Sequence, residues 1–553
     1  MAVALEGVTE RRGGRGWTLV AFYPILALFL LVFVAYPMLD LFARAITVDG
    51  KPSFSVFARL LTDKFIWQVL WNTLLLGCTV AALGTILATI YAYAITRVAI
   101  FGKGVWHFFA VLPTISPPIL MALGLILLYG RRGLVTNGLL GIQSTALYGF
   151  WGLVFAQLIS YFPFAYLMML HLFRGLDASI EEVAGTMGAN AWRVFTTVTL
   201  PLLVPGLAGS ALLMFGYSFA DLGNPLLLGG DFPVMSSQIY LAIIGMYDVP
   251  QGAALSIILL VPAVLMFVAH KHLSARTAFA TVGAKASSRH RMIRHRPAQI
   301  AALVFVGGIT LLIFLQYATV FAGATTQLFG INYTLTIKHF SDVLTKSRHV
   351  LVDTLMLGVI ASAVAVVVGL LLAYFVARTR MPGRNALDFL ANLPLAIPGT
   401  VIGLSFALAF NHFPLMLTGT AAVIIVAFVV RSLPYGIRSG VAALDQLHRS
   451  LDEASTTMGS TSGQTLWRIL VPLVRPALLA GMIFSFTRSV TTLSAVIFIV
   501  SPHWSLVTPT ILSQMDRGDV GQAAALSVLV VLVVLLVIHG VPRLFGRDWR
   551  EAQ

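Results

Sequence analysis

Charged residues are scarce in this chain of 553 residues: Asp, Glu, Lys and Arg make up 10% of it, whereas 58% is hydrophobic. A water-soluble domain with so few charges would lack the polar surface that keeps it in solution. The composition therefore excludes an ordinary soluble protein and predicts a polytopic protein whose partner is the lipid bilayer.

Cysteines and nucleotide-binding sequences are also scarce. The one cysteine, Cys78, lies inside an apolar run and has no partner for an intrachain disulfide or a cysteine metal site. Acids and histidines are not grouped at catalytic or metal-ligand spacing, and no Gly-x-x-x-x-Gly-Lys-Ser/Thr loop is present to hold phosphates. We therefore expect no enzyme activity, no metal site and no cofactor in this chain.

Cations outnumber acids, with 36 Lys and Arg against 21 Asp and Glu and a net charge of +15. They lie in short segments between apolar runs, which is typical of cytoplasmic loops and argues against a nucleic-acid partner. The segment from His270 to Pro297 contains seven Lys and Arg and no acid. It is typical of a cytoplasmic linker beside an anionic leaflet, with a regulatory or nucleic-acid site as the alternative.

Apolar runs of roughly 20 residues, long enough to cross a bilayer as helices, fill both halves of the chain. We predict spans near 18–43, 67–96, 105–129, 146–171, 202–222, 252–270, 299–322, 350–377, 386–410, 419–441, 473–500 and 520–540. The predicted fold class is an all-α polytopic membrane protein with about 12 transmembrane helices in two sets of six. We expect a first domain at 1–270, a basic linker at 271–297 and a second domain at 298–553.

The two halves repeat one another at two constant offsets. Six residues recur 281 positions later, which gives Thr73/Thr354, Tyr93/Tyr374, Arg97/Arg378, Gly102/Gly383, Pro113/Pro394 and Pro117/Pro398. From Pro163/Pro434 to Ser256/Ser527 the offset is 271. Because each half has an even number of spans and runs in the same direction, the halves are predicted to be parallel repeats about an axis along the membrane normal.

A polar segment in each half carries the strongest part of this repeat. The candidate residues are Glu182, Ala184, Gly188 and Pro201 in the first copy and Glu453, Ala454, Gly459 and Pro472 in the second. The pattern predicts a helix–loop–helix near 177–201 and near 448–472, since acids favour the first turn of a helix and glycine favours its end. The small residues leave a surface that another protein could approach closely.

This motif resembles the signature cytoplasmic loop of binding-protein-dependent ABC importer permeases. The sequence departs from it lightly, with Val183 and Ser455 in place of Ala, Val198 in place of Ile and Val471 in place of Leu. The resemblance covers nearly the whole chain, as two fused permease domains of the type I fold. It implies that each loop is a coupling helix for one of two copies of an ABC ATPase subunit, which binds the ATP. It also implies an extracytoplasmic solute-binding protein.

The N-terminus carries Arg11, Arg12 and Arg15 ahead of the first apolar run. The positive-inside rule places this end in the cytoplasm, and an even number of spans returns the C-terminus to the same side. Both candidate loops then face the cytoplasm. With the resemblance, this predicts a multi-pass protein of the bacterial inner membrane.

Polar residues inside predicted spans mark a candidate translocation pathway, because they are costly in a bilayer. These residues are Tyr217, Asp221, Asn224, Arg431, Arg488, Thr491 and Thr492. One hypothesis is an anion pathway in which Arg488, with Arg431, attracts a phosphate- or carboxylate-bearing solute. The alternatives are snorkelling and a structural ion pair between Arg488 and Asp221.

Within the permeases, the fused layout is similar to the ferric-iron subgroup, as are the stretches Ala220–Pro225 and Leu493–Phe498. This resemblance implies ferric iron as the substrate. The same architecture also serves importers of sugar phosphates, phosphonates and thiamine, which remain alternatives. A secondary transporter with six plus six spans is the rival class, although it has no need of two matched docking loops.

Overall fold

The computed structural model describes residues 21–544 except 49, 177, 282–291 and 380. In that part, eleven helices are long and apolar enough to cross a membrane, and a bent helix pair provides a twelfth span. The spans are Phe22–Ala45, Lys64–Arg97, Pro118–Leu139, Phe150–Gly175, Trp192–Phe219, Val249–Ala269, Arg296–Thr325, Arg348–Arg378, Arg384–Ala396 with Gly399–Ala409, Ala421–Asp445, Ser462–Thr491 and Val520–Val541. The predicted fold class is confirmed.

Shorter elements connect the spans. The helices are Ser55–Thr62, Lys103–Val111, Ala178–Thr186, Gly223–Leu228, Met235–Gly245, Lys338–Lys346, Ser450–Thr457 and Val507–Asp516. Two antiparallel hairpins are formed by Thr47–Val48 with Lys51–Pro52 and by Thr326–Leu328 with Asn332–Leu335. Neither hairpin was predicted from the sequence, because strands of two to four residues are too short to show an alternating pattern of polar and apolar residues.

The predicted third span of each half, 105–129 or 386–410, is broken at its second proline. In the first half, the helix from Lys103 passes through a 3₁₀ turn at Leu112–Ile115 before a new helix begins at Pro118. In the second half, the helix axis bends by 111° between the two parts of the span, next to Pro398. Proline lacks an N–H and disfavours a helical residue before it, which explains both breaks.

The fifth span of each half contains a wider turn. A π-helical segment at Phe195–Thr199 precedes Pro201, and one at Leu466–Leu470 precedes Pro472. Each proline lacks the N–H for the regular bond and would contact the carbonyl four residues earlier. The wider turn accommodates the ring, and both spans continue beyond it to Phe219 and Thr491.

The prediction of a span at 473–500 is wrong at its far end, since the helix ends at Thr491. The chain then turns back, with the Thr508 hydroxyl donating to the carbonyl of Thr492 at 2.6 Å. The helix that follows is anchored by the N–H of Val507, which donates to the Thr354 hydroxyl at 2.9 Å. An apolar segment that folds back inside the protein has the same composition as a transmembrane span. Hydropathy alone therefore placed the end of the predicted span too late.

The first span of each half packs against the other half. From the first span, the Tyr23 hydroxyl donates to the carbonyl of Pro382 at 2.6 Å, and Phe33 lies 5.7 Å from Phe410 between ring centroids. From Arg296–Thr325, Thr310 lies 3.1 Å from the Tyr91 hydroxyl. The first span of each half therefore packs against helices of the other half. The division into domains at 1–270, 271–297 and 298–553 remains a prediction.

The linker rejoins the bundle beside the end of the second span. The N–H of Ile293 donates to the carbonyl of Arg97 at 2.8 Å, and the N–H of Ala99 donates to the carbonyl of Ile293 at 3.0 Å. Residues 282–291 of the predicted linker, like the two predicted cytoplasmic termini, lie outside the described residues. The described end of the linker therefore lies at the same end of the bundle as the turn after the second span.

Candidate coupling loops and translocation pathway

The first candidate coupling loop (178–201) is a helix–turn–helix. The helix Ala178–Thr186 is followed by Gly188 at φ +86°, and the next helix begins where Asn190 accepts a hydrogen bond from the N–H of Arg193 at 2.8 Å. A left-handed φ is costly for residues with a Cβ, so the turn requires glycine here. Asn190 acts as an N-cap.

The second candidate coupling loop (448–472) repeats this structure. The helix Ser450–Thr457 is followed by Gly459 at φ +82°, and the helix after it begins at Thr461. Thr461 forms a capping box with Gln464, which satisfies two N–H groups of the helix start. Six spans separate the two loops along the chain, so both lie at one end of the bundle, which we call the loop end.

The predicted loop residues lie mainly on the surface. Ala184 is half-buried, and the other seven are exposed: Glu182, Gly188, Pro201, Glu453, Ala454, Gly459 and Pro472. The most exposed side chains of the turns were missed by sequence reasoning: Met187 and Met458 are 83% and 86% exposed. Each is the residue before its turn glycine, and the matched Met-Gly pairs were the signal that could have identified them.

A buried arginine holds the first loop to the end of the second span. Arg97 forms a two-pronged ion pair with Glu181, with N–O distances of 2.7 and 3.1 Å. The Thr199 hydroxyl donates to the same carboxylate at 2.8 Å. The Arg97 side chain is only 6% exposed, so its charge depends on this acid.

The second half repeats this contact. Arg378 pairs with Asp452 at 2.8 Å and also donates to the carbonyls of Leu444, at a very short distance, and Leu447, at 2.7 Å. The sequence showed the repeat of Arg97 and Arg378 but did not identify Glu181 and Asp452 as their partners, whereas the coupling role of Glu182 and Glu453 remains a prediction. The position within the helix, which decides whether an acid faces the bundle, was the missing information.

The candidate pathway in the first half is a polar network without a cation. Asp221 accepts hydrogen bonds from the side-chain amides of Gln157, at 2.9 Å, and Asn224, at 2.7 Å. The Ser218 hydroxyl donates to the Gln157 oxygen at 2.5 Å, and the Ser236 hydroxyl donates to the Asp221 carbonyl at 2.6 Å. Asp221 forms no ion pair with Arg488, so the structural pair considered from the sequence is not formed.

The second half supplies arginines instead. The Arg488 guanidinium carbon lies 5.2 Å from the Tyr217 ring centroid and 5.9 Å from that of Phe164. The two rings are stacked at 4.5 Å, which gives the cation an extended π face. The Tyr217 hydroxyl lies 3.5 Å from the hydroxyl of Tyr435, across the boundary between the halves.

Two cavities meet at these arginines. The larger, about 240 Å³, extends toward the loop end past Pro434 and Arg438, and the smaller, about 50 Å³, extends the other way past Gly223 and Thr492. Tyr217, Arg431 and Arg488 line both cavities, while Asp221, Thr491 and Thr492 line the smaller. Asn224 is fully buried behind Asp221 and lines neither. In the described ranges, no group of three or more His, Cys, Asp or Glu could hold a metal ion.

Comparisons with known proteins place the chain in a family. The family model for "Binding-protein-dependent transport system inner membrane component" matches residues 81–279 and 365–551. The ferric transport system permease protein FbpB of Actinobacillus pleuropneumoniae is 34% identical over 516 residues, which cover 91% of this chain and 75% of that protein. A putative ferric transport system permease protein FbpB 1 of Haemophilus influenzae is 35% identical over 489 residues, covering 86% and 77%.

Among solved structures, a bacterial ABC transporter for the acidic polysaccharide alginate matches 47% of this chain and 96% of its own, with 21% identity and a TM-score of 0.41. The family model matches both halves, which sets the secondary transporter aside. The chain therefore belongs to the binding-protein-dependent transport system inner membrane components, as a fused two-domain permease of an ABC importer and a multi-pass protein of a bacterial inner membrane family.

Proposed function

We propose that this permease forms the translocation pathway of a ferric-iron importer. The support is the likeness to two relatives named for ferric transport, which extends over 91% and 86% of this chain. Similarity over both halves includes the pathway as well as the loops. The iron is cargo here.

The force for transport is proposed to come from two copies of an ABC ATPase subunit, which bind the ATP, while this chain binds no nucleotide. Each copy docks on one candidate coupling loop, where an exposed methionine, Met187 or Met458, projects beside a turn glycine. The observation that carries this proposal is the buried ion pair behind each loop. Arg97 and Arg378 join the loops to the second span of each half, so a displaced loop moves a transmembrane helix.

The loop end is proposed to face the cytoplasm, with the N- and C-termini on the same side. The basic residues near the described end of the linker, Arg294 and Arg296, lie at this end of the bundle and suit the cytoplasmic leaflet. The opposite end, which carries both β hairpins, then faces an extracytoplasmic solute-binding protein. Substrate would pass from there through the smaller cavity to the larger one.

Purification of the tagged chain in mild detergent with the ATPase and binding protein encoded beside it tests the proposal. We expect two ATPase copies for each permease, and uptake of ⁵⁵Fe(III) into proteoliposomes only with ATP and loaded binding protein. Recovery of the chain without an ATPase would contradict the docking role. Active uptake of another solute, with no iron uptake, would contradict the cargo.

An importer of an anionic solute, such as a sugar phosphate or a phosphonate, is the second candidate. The observation that favours it is the arginine pair between the cavities, since arginine binds phosphate and carboxylate with two parallel hydrogen bonds. The same pair disfavours thiamine, which is a cation. Uptake of a labelled phosphonate by the complex, without iron, would favour this candidate.

A further inference from the structure

The narrow section of the pathway is formed by two arginines from the second half. Arg431 and Arg488 line both cavities, together with Tyr217 and Ala220, and the cavities on either side measure about 240 and 50 Å³. A solute that moves from one cavity to the other must pass both guanidinium groups.

Neither arginine is neutralised inside the protein. Both are among the described residues, and neither side chain makes an ion pair or a hydrogen bond there. The Nε of Arg431 is buried without an acceptor, and the Arg488 guanidinium lies over the rings of Tyr217 and Phe164. The nearby acid, Asp221, is engaged by two amides. Cations inside a membrane-spanning bundle normally have acidic partners, so these two half-buried arginines have donors available for a ligand.

The broken third spans add positive potential at the same place. The helix Gly399–Ala409 begins so close to Arg431 that a Cβ on Gly399 would lie 3.1 Å from the guanidinium carbon. The helix that begins at Pro118 has its first residues in the wall of the smaller cavity. Helix N-termini carry partial positive charge and attract anions. Both helices therefore reinforce the arginines.

We propose that this narrow section binds a carboxylate- or phosphate-bearing anion, and that ferric iron crosses it only in an anionic complex with such ligands. A bare trivalent cation would be repelled by the two half-buried arginines and the two helix N-termini. A complex of iron with citrate or phosphate presents oxygens that accept from the arginine forks. The cargo part of this inference rests on the proposed ferric function, whereas the anion site does not.

Double-label uptake by the reconstituted complex tests the cargo. The binding protein is loaded with ⁵⁵Fe(III) in [¹⁴C]citrate or in [³²P]phosphate, and both labels are counted inside the proteoliposomes. We expect iron to enter with one of the labelled anions at a constant ratio. The double variant Arg431→Gln/Arg488→Gln should lower entry of both labels at least tenfold, with partial recovery in the double lysine variant. Arg294→Gln, which changes an exposed arginine near the linker, is the control and should transport normally.

A binding measurement on the complete purified permease keeps the test independent of transport. We expect citrate or inorganic phosphate to raise the Tm of the wild-type chain and of Arg294→Gln, and to leave the double glutamine variant unchanged. The inference is overturned if neither anion stabilises the wild type, if iron enters without either label, or if the double variant transports at the normal rate. If an anion is imported and iron is not, the ferric function fails while the anion site stands.

Discussion

The first and second halves of this permease are alike at the loop end and unlike in the pathway. At the loop end, the ion pair of Arg97 with Glu181 corresponds to that of Arg378 with Asp452, although Arg378 also donates to two backbone carbonyls. In the pathway, Tyr217 of the first half corresponds to Arg488 of the second, and Asp221 corresponds to Thr492, each at the offset of 271. The first half has an amide-bound carboxylate where the second has none.

This difference follows from what each region contacts. The loops are proposed to dock on two identical ATPase subunits. A change in one loop but not the other would make the two docking contacts unequal. The pathway carries one cargo along one axis, so the two halves can contribute different side chains to it. Symmetry is therefore expected where the partners are identical, and asymmetry where there is a single ligand.

The largest expected effect is loss of the buried arginines at the loop end. Arg97→Ala and Arg378→Ala each leave an acid without its cation, at a cost on the order of 2–3 kcal/mol because the acids are partly exposed. We expect iron uptake to fall more than tenfold in both, with the larger fall in Tm for Arg378→Ala, since that side chain also binds two carbonyls.

The reversed pair Arg97→Glu/Glu181→Arg is the matched control for that prediction. Partial recovery of uptake relative to Arg97→Glu alone would show that the pair, and not only the size of the side chain, transmits movement. Normal uptake in either alanine variant would contradict the equivalence of the two loops, because the two halves would then contribute unequally to coupling.

The turn glycines should give the next largest effect. Gly188→Val and Gly459→Val place a β-branched residue at φ +86° and +82°, at a cost of about 1–2 kcal/mol each. We expect a similar loss of uptake in both, with normal amounts of protein in the membrane and normal basal ATPase activity. The comparison variant is Gly185→Ala, where a Cβ meets open space at an ordinary φ, and it should be active. Unequal losses at the two glycines would contradict equivalent docking.

A smaller effect is expected where the halves differ. Asp221→Asn puts an amide N–H₂ beside the donors of Gln157 and Asn224, which costs about 1–2 kcal/mol through one unmet donor. We expect a lower Tm and a few-fold loss of uptake. Thr492→Val, at the matching position, should change little, because Thr492 accepts through its backbone carbonyl. Equal effects at both positions would remove the asymmetry inferred for the pathway.

Much of the fold was predictable because it depends on composition and repetition. The spans followed from runs of apolar residues, and the constant offsets identified the two halves and the loops. Proline marked the breaks at Pro117 and Pro398. All of these are local features, so the sequence contains them without reference to neighbours in space.

The contacts between distant segments could not be predicted in the same way. The pairing of Arg97 with Glu181 depends on which side of a short helix faces the bundle, and Glu182 is as acidic as its neighbour. The backward turn after Thr491 has the hydropathy of a span, and its course is set by hydrogen bonds between residues distant in sequence, such as that of Val507 to Thr354. The candidate pathway residues could be named from the sequence. Their positions along the two cavities depend on how the two halves pack together, which the sequence does not show.

The smallest expected effect tests the orientation of the loop end. Cys78 is an exposed residue of the second span, so Cys78→Ser should change the free energy of unfolding by less than about 0.5 kcal/mol and give a cysteine-free, active chain. A single cysteine at Met187 or at Met458 should then react equally with a membrane-impermeant maleimide. Reaction is expected in inside-out vesicles only, and ATPase should protect both sites. Labelling from the outer face would place the loop end on the wrong side, and protection of one site alone would leave only one loop in contact with an ATPase.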